Sequence, residues 1–313
     1  MKGIELSRRF FEECGMPMLK EKFSDVLPLL AIGLLGSGSE CFGFDDEISQ
    51  DHDFEAGFCI FLPDESLVDR KTEFALERAY SKLPSEFMGV KKSSLSPVGG
   101  NRHGVIRMRD FLKEKTGREE AKLSLSEWIL TPEQALAEVT NGEIFFDGLG
   151  EFTKIRADLA YMPEDVRLKK LAGEILLMGQ AGQYNYCRCI SRKDTAAAQL
   201  AVFEFVKSAI HAVFLLNRVY APYYKWSFRA LSELSVLSDL SLKFEYLISN
   251  GNSESVSKIK KEEIEYISSK IICELKNQNR TQFSGEELEG HAYSVNDKIS
   301  DFNVRNLHVL CAV

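Results

Sequence analysis

The chain has 313 residues and a net charge of -8, with 44% hydrophobic and 27% charged residues. That balance excludes a disordered chain and an overall basic surface for nucleic acid, and the length suits one large domain or two modest ones. No run approaches the ~18 uninterrupted apolar residues of a membrane helix. The charged opening Met1-Lys2-Gly3-Ile4-Glu5 lacks a secretory pattern, so cytoplasm is the expected location. Seven cysteines, at 14, 41, 59, 187, 189, 273 and 311, are odd in number and scattered. Cys41 and Cys59 lie in apolar runs, which predicts reduced core thiols rather than a disulfide framework, and Cys187-x-Cys189 has no second pair at zinc spacing.

In chain order, residues 3–27 predict two short helices broken near Gly15 and Pro17. Ala31-Ile32-Gly33-Leu34-Leu35 predicts a buried strand. Phe54 to Leu62 alternates: Phe54, Ala56, Phe58, Ile60 and Leu62 share one face, and Asp51, Asp53, Glu55, Gly57 and Cys59 the other. Leu67, Phe74, Ala75, Ala79 and Leu83 predict a helix over 66–83. Residues 91–101 predict a loop, Gly104 to Met108 a third strand, and Asp110 to Glu114 a helix. Thr131-Pro132-Glu133 is a helix start and Ile144-Phe145-Phe146 a further strand. Beyond Pro163, residues 164–190, 194–220, 226–249 and 255–276 show helical spacing, with Asp194 as a cap and Pro222 as a stop.

The chemistry-bearing stretch runs from Gly36-Ser37-Gly38-Ser39 through Asp45-Asp46-Glu47 to Asp51-His52-Asp53. A strand entering a glycine-serine turn that opens a short helix presents backbone N–H groups to phosphate oxygens. Period two puts Asp51 and Asp53 on one face, roughly 7 Å apart along the strand, within reach of one magnesium or a metal pair. His52 falls on the opposite, apolar face. Competing phosphate motifs fail. No lysine stands between Lys22 and Lys71 for a Walker loop, Cys41 replaces the glycine of a dinucleotide fingerprint, and residues 45–56 lack the EF-hand offsets. Five acidic residues, Asp45, Asp46, Glu47, Asp51 and Asp53, repel one another unless a cation is present.

Gly-Ser, a spacer and Asp-x-Asp resemble the nucleotidyltransferase superfamily that includes polymerase β and the kanamycin and lincosamide nucleotidyltransferases. Gly38-Ser39, Asp51 and Asp53 match its signature position by position. The phrasing around them, with Gly182-Gln183-Tyr184-Asn185-Tyr186 and Leu215 to Trp226, resembles an uncharacterised bacterial group within that superfamily. The resemblance implies a nucleoside triphosphate substrate whose phosphates meet Gly36, Gly38 and Ser39. It also implies Mg2+ (or Mn2+) on Asp51 and Asp53. A third carboxylate is implied on the next strand, where the polar position is Arg107; Asp110 at the strand's end is the candidate substitute, with Glu143 and Asp147 as others.

In the helical part, Gln180, Tyr184, Arg188 and Arg192 recur every four residues along one stripe. The stripe is either a solvated face or a wall whose Arg188 and Arg192 meet triphosphate oxygens. Tyr220, Tyr223, Tyr224 and Trp226 fit core and turn aromatics, and Lys225 among them is a candidate phosphate or acceptor contact. The expected architecture is α+β: a mixed-sheet nucleotidyltransferase domain over 1–163 and a helical domain over 164–313 forming the far wall of a cleft. The expected acceptor is a small-molecule hydroxyl. The alternatives are a protein hydroxyl or RNA end, as in toxin-type members, and a degenerate protein that binds nucleotide without catalysis. Nucleic acid is not favoured and oligomeric state is unread.

Overall fold

The computed structural model describes residues 1–47, 55–92 and 103–313. They group into two compact units: Met1–Leu123 with Thr131–Ala160, and Ser124–Leu130 with Tyr161–Val313. A single cut near residue 163 therefore omits one exchange, the segment 124–130, which packs with the later residues.

The first unit opens with helices α1 (Gly3–Phe10) and α2 (Met16–Lys22), joined by a π-type stretch at Phe11–Gly15 rather than broken at Gly15. Pro17 is the second residue of α2, directly after that π-type stretch. Strands β1 (Ala31–Leu34) and β2 (Cys59–Leu62) pair antiparallel, with Ile32 opposite Ile60. After α3 (Arg70–Tyr80) comes a hairpin, β3 (Glu86–Phe87) with β4 (Val90–Lys91), in residues too short to carry a periodic signal. Strand β5 (Gly104–Arg107) lies parallel to β2 and runs directly into α4 (Met108–Thr116), two residues earlier than the helix expected from Asp110. Helix α5 (Leu125–Leu130) belongs to the second unit. Helix α6 (Glu133–Thr140), whose N-cap position is Pro132 rather than Thr131, precedes β6 (Glu143–Asp147) and α7 (Glu151–Leu159). The mixed sheet has the order β5-β2-β1-β6, with β6 antiparallel to β1.

β1 and β2 are buried at every position because both faces of the sheet are covered. Ile32, Ile60, Leu62 and Phe58 pack in one core with Phe10, Leu19 and Leu76. On the other face the Phe61 ring meets Phe152 at 4.3 Å and Phe111 at 5.4 Å between centroids. Burying each such side chain contributes about 1.5–3 kcal/mol. The strand expected over 54–62 is thus observed only from Cys59. Residues 55–58 belong to no helix or strand, and 48–54 lie outside the described residues. The buried face of α3 is Leu76, Ala79 and Tyr80, while Leu67 and Phe74 of the expected stripe are exposed, Phe74 to 60%.

The second unit is helical throughout its described residues. It comprises α5, α8 (Glu164–Met178), a π-type stretch at Gly179–Tyr186, α9 (Cys187–Ser191), α10 (Thr195–Asn217), α11 (Ser227–Ser232), α12 (Ser241–Ser249), α13 (Glu254–Asn277), α14 (Leu288–Asn296) and α15 (Phe302–Asn306). The Asp194 carboxylate accepts from the Ala197 N–H, capping α10 as the sequence predicts. The helix ends at Arg218, in a left-handed turn with φ 58°, before Pro222 is reached. The expected helix over 226–249 is instead α11 and α12, separated by a left-handed turn at Leu237. Helix α8 is buried nearly all round, and its lysines tie down the chain's end. Lys169 donates to Asn296 Oδ1 at 2.7 Å and to the Leu307 carbonyl at 2.6 Å, and Lys170 to the carbonyls of Ile129 and Ala312. α10 is long and apolar enough to cross a membrane by length and composition, although charged residues interrupt it. In its most apolar window 61% is buried within the protein, the pattern of a core helix. All seven cysteines are free thiols, with Cys41 and Cys59 buried.

Candidate functional site

β1 ends in Leu34, and the chain then passes through Gly36-Ser37-Gly38 into a short 3-10 helix, Ser39–Phe42, as the sequence predicts for the turn. Gly36 has φ +120°, a conformation that side chains disfavour. The Asn141 side chain brackets it: Gly36 N–H donates to Asn141 Oδ1 at 3.0 Å, and Asn141 Nδ2 donates to the Gly36 carbonyl at 2.8 Å. Gly142 (φ +60°) adds its N–H to the Cys41 carbonyl at 2.8 Å, and a Cβ there would lie 2.0 Å from the Leu34 carbonyl oxygen. The Arg156 guanidinium in turn donates to the carbonyls of Val139, Thr140 and Asn141. Gly36 therefore shapes the loop and has no N–H to offer a phosphate. The N–H groups of Ser37, Gly38 and Ser39 donate to no group among the described residues.

This loop opens on a cavity of about 440 Å³ whose lining includes Gly36, Ser37, Gly38, Cys59 and His103. Ile106 of β5 and Phe111 of α4 supply apolar wall, and Glu40, Glu114 and Lys115 supply charge. Lys115 was not singled out by sequence, because its position on α4 is informative only once β5 sets that helix against the loop. Its ammonium pairs with Glu138 at 2.8 Å and Glu114 at 2.9 Å. Burial works against its charge, but the hydrogen bonds to Glu138 and Glu114 outweigh burial and hold its pKa above the usual lysine value. His103 was likewise missed: it stands at the edge of a predicted loop, and its partner Glu55 is 48 residues away.

Asp51, Asp53 and His52 lie outside the described residues. The other members of the acidic stretch behave differently from one another. Asp45 is buried, accepts the Gly3 N–H at 2.8 Å at the start of α1 and pairs with Lys2 at 3.3 Å. It therefore does not belong to a carboxylate cluster awaiting a cation. Asp110 is exposed on the first turn of α4, 3.7 Å from Arg109, and does not line the cavity. Glu143 pairs with Arg8, and Asp147 accepts from Thr153 N–H and Oγ1 at 2.7 and 2.8 Å. Arg107 is 3% exposed and points to the α3 side of the sheet. There it pairs with Glu73 at 2.5 Å and donates to the carbonyls of Pro63 and Val68.

In the second unit Gln180, Tyr184, Arg188 and Arg192 are all exposed. Arg188 stacks 4.7 Å over the Tyr184 ring. Lys225 is exposed 5.1 Å from the Trp226 ring, and the Tyr223 and Tyr224 rings meet tilted at 4.3 Å with Tyr224 75% exposed, so Tyr223 and Tyr224 are surface rather than core while Tyr220 and Trp226 are half-buried. Arg188→Ala is expected to shift unfolding free energy by less than about 0.5 kcal/mol. Urea denaturation checks this, and a tenfold loss of triphosphate affinity in the same variant would identify Arg188 as a phosphate contact.

Residues 128–227 match a domain of unknown function (DUF4037), a stretch that includes Asn141 and Arg156 but not the Gly-Ser loop. No curated protein matches the chain. Among solved structures, a nucleotidyltransferase-like protein from Exiguobacterium sibiricum 255-15 is similar at 12% identity and a TM-score of 0.38, covering 90% of this chain and 89% of that one.

Proposed function

We propose that the chain is a metal-dependent nucleotidyltransferase that moves a nucleoside monophosphate from a nucleoside triphosphate to a hydroxyl of a small-molecule acceptor, releasing pyrophosphate. The observation that carries this reading is the Gly36–Ser39 loop: it is shaped by Asn141, it borders a cavity, and three of its successive N–H groups donate to no group among the described residues. Such a row of donors suits phosphate oxygens. Asp51 and Asp53 stand eight and six residues before Cys59, which lines the same cavity.

Asp51 and Asp53, the Asp-x-Asp pair that matches the nucleotidyltransferase signature, are the proposed ligands. A bound Mg2+ or Mn2+ would neutralise phosphate charge as the α-phosphoryl group transfers. Ser37, Gly38 and Ser39 hold the phosphates through backbone N–H groups. The net charge of -8 favours a small acceptor over a nucleic acid. A degenerate, non-catalytic protein drew its support from Arg107 standing where a carboxylate was expected. Arg107 itself is committed to Glu73 on the α3 side, and β5 carries no carboxylate, so a non-catalytic nucleotide binder is the alternative that the search for products tests.

Calorimetric titration of each nucleoside triphosphate with magnesium tests the reading, followed by mass-spectrometric search for nucleotidylated products in metabolite, protein and RNA pools. Gly38→Val, whose branched side chain blocks approach to the loop backbone, and Ser39→Ala, which removes the hydroxyl donor beside that backbone, are expected to weaken triphosphate binding about tenfold or more with melting temperature unchanged. Wild-type affinity in both folded variants would remove the phosphate loop.

A further inference from the structure

The nucleotidyltransferase reading requires a group to take the acceptor's proton, and every described carboxylate considered for that task is engaged elsewhere or faces away from the cavity. His103 is differently placed. It lines the cavity with the Gly-Ser loop, is 7% exposed, and its Nδ1 lies 2.8 Å from Glu55 Oε1. With Nδ1 donating to the Glu55 carboxylate, Nε2 is the ring nitrogen left to accept. The ring also lies flush on Gly57: a Cβ there would sit 2.6 Å from the imidazole, so glycine lets the ring seat against the backbone. Nε2 itself is buried and has no hydrogen-bond partner among the described residues. Leaving such a group unsatisfied costs about 1–3 kcal/mol, which a hydroxyl donor from a ligand would recover.

We propose that His103 Nε2 is the proton acceptor for the attacking hydroxyl, with Glu55 as its positioning residue; the proposal rests on the nucleotidyltransferase reading. The acceptor oxygen attacks the α-phosphorus and forms the new P–O bond. The P–O bond to pyrophosphate breaks, and its electron pair leaves with pyrophosphate. The hydroxyl proton passes to Nε2, and the resulting imidazolium faces the Glu55 carboxylate, which stabilises it. The fixed ring thus replaces the missing third carboxylate.

The test uses the full chain, magnesium, each of the four nucleoside triphosphates, and a metabolite extract as acceptor source, with pyrophosphate release as the readout. His103→Gln is expected to bind triphosphate within twofold of wild type by calorimetry, keep its KM, and lose turnover by about 10²–10⁴-fold. Glu55→Gln is expected to lose less, and added imidazole to restore part of the turnover of His103→Ala, which a merely structural histidine would not allow. Turnover within threefold of wild type in a folded His103→Gln, with normal binding, would overturn this proposal alone. If His103→Gln melts below the assay temperature, Glu55→Gln decides: turnover equal to wild type overturns the proposal. A wild-type chain that binds no triphosphate, or binds it and releases no pyrophosphate, overturns both the proposal and the reading beneath it.

Discussion

Replacing Arg107 with methionine is expected to cost about 3–5 kcal/mol of stability, because a buried guanidinium holds together groups that no other side chain can satisfy. Its 3% exposure, two bonds to Glu73 and two bonds to the carbonyls of Pro63 and Val68 tie the end of β5 to α3 and the chain leading into it. Methionine fills much of the volume but leaves both carbonyls and the Glu73 carboxylate without the charged donor. Urea denaturation should show a lower midpoint with an unchanged slope. The double variant Arg107→Met/Glu73→Gln should recover part of the loss, since the uncompensated charge is then removed as well. A loss under about 1 kcal/mol would show that the network is replaceable. Arg107→Asp, which writes the expected carboxylate into the third strand, should destabilise the chain without raising turnover, because that position faces α3.

Asp51→Asn with Asp53→Asn is expected to abolish measurable binding of magnesium triphosphate, a loss beyond about a hundredfold. Two carboxylates are assigned to one cation, and each charged contact contributes about 1.5–3 kcal/mol. Asparagine keeps the shape and removes the charge, so melting temperature should rise or stay level as repulsion within the acidic stretch falls. EDTA on the wild-type chain should reproduce the loss. Equal affinity in wild type, EDTA and the double variant would sink the metal clamp while leaving the Gly-Ser loop to be judged by its own variants.

Local sequence was sufficient wherever a signal was complete within a few residues. The Gly-Ser turn after a buried strand, the Asp194 cap and the third strand at 104–107 are of this kind. It was insufficient where the third dimension chose between faces. Phe74 is as apolar as Leu76, yet only Leu76 meets the core, because the direction of α3 against the sheet sets which side is inward. Arg107 was counted as the polar position facing the site, but the β2–β5 register aligns it with Leu62, on the α3 side. Asp45 looked like one carboxylate among five until its contacts with Gly3 and Lys2 were visible. The Glu55–His103 pair and the Asn141 bracket carry no local pattern, since each joins residues far apart in the chain.

The bracket on Gly36 also sets an order of events during synthesis. Its two halves are 105 residues apart, so the Gly-Ser sequence emerges from the ribosome long before Asn141 can shape it. Closing so long a loop is entropically costly and slow compared with forming the neighbouring helices. A fragment ending after α4 would contain every residue of the loop and yet lack the bond that fixes φ at Gly36. Nucleotide binding should therefore appear late in the growth of the nascent chain, as a gain that coincides with the docking of β6 on β1.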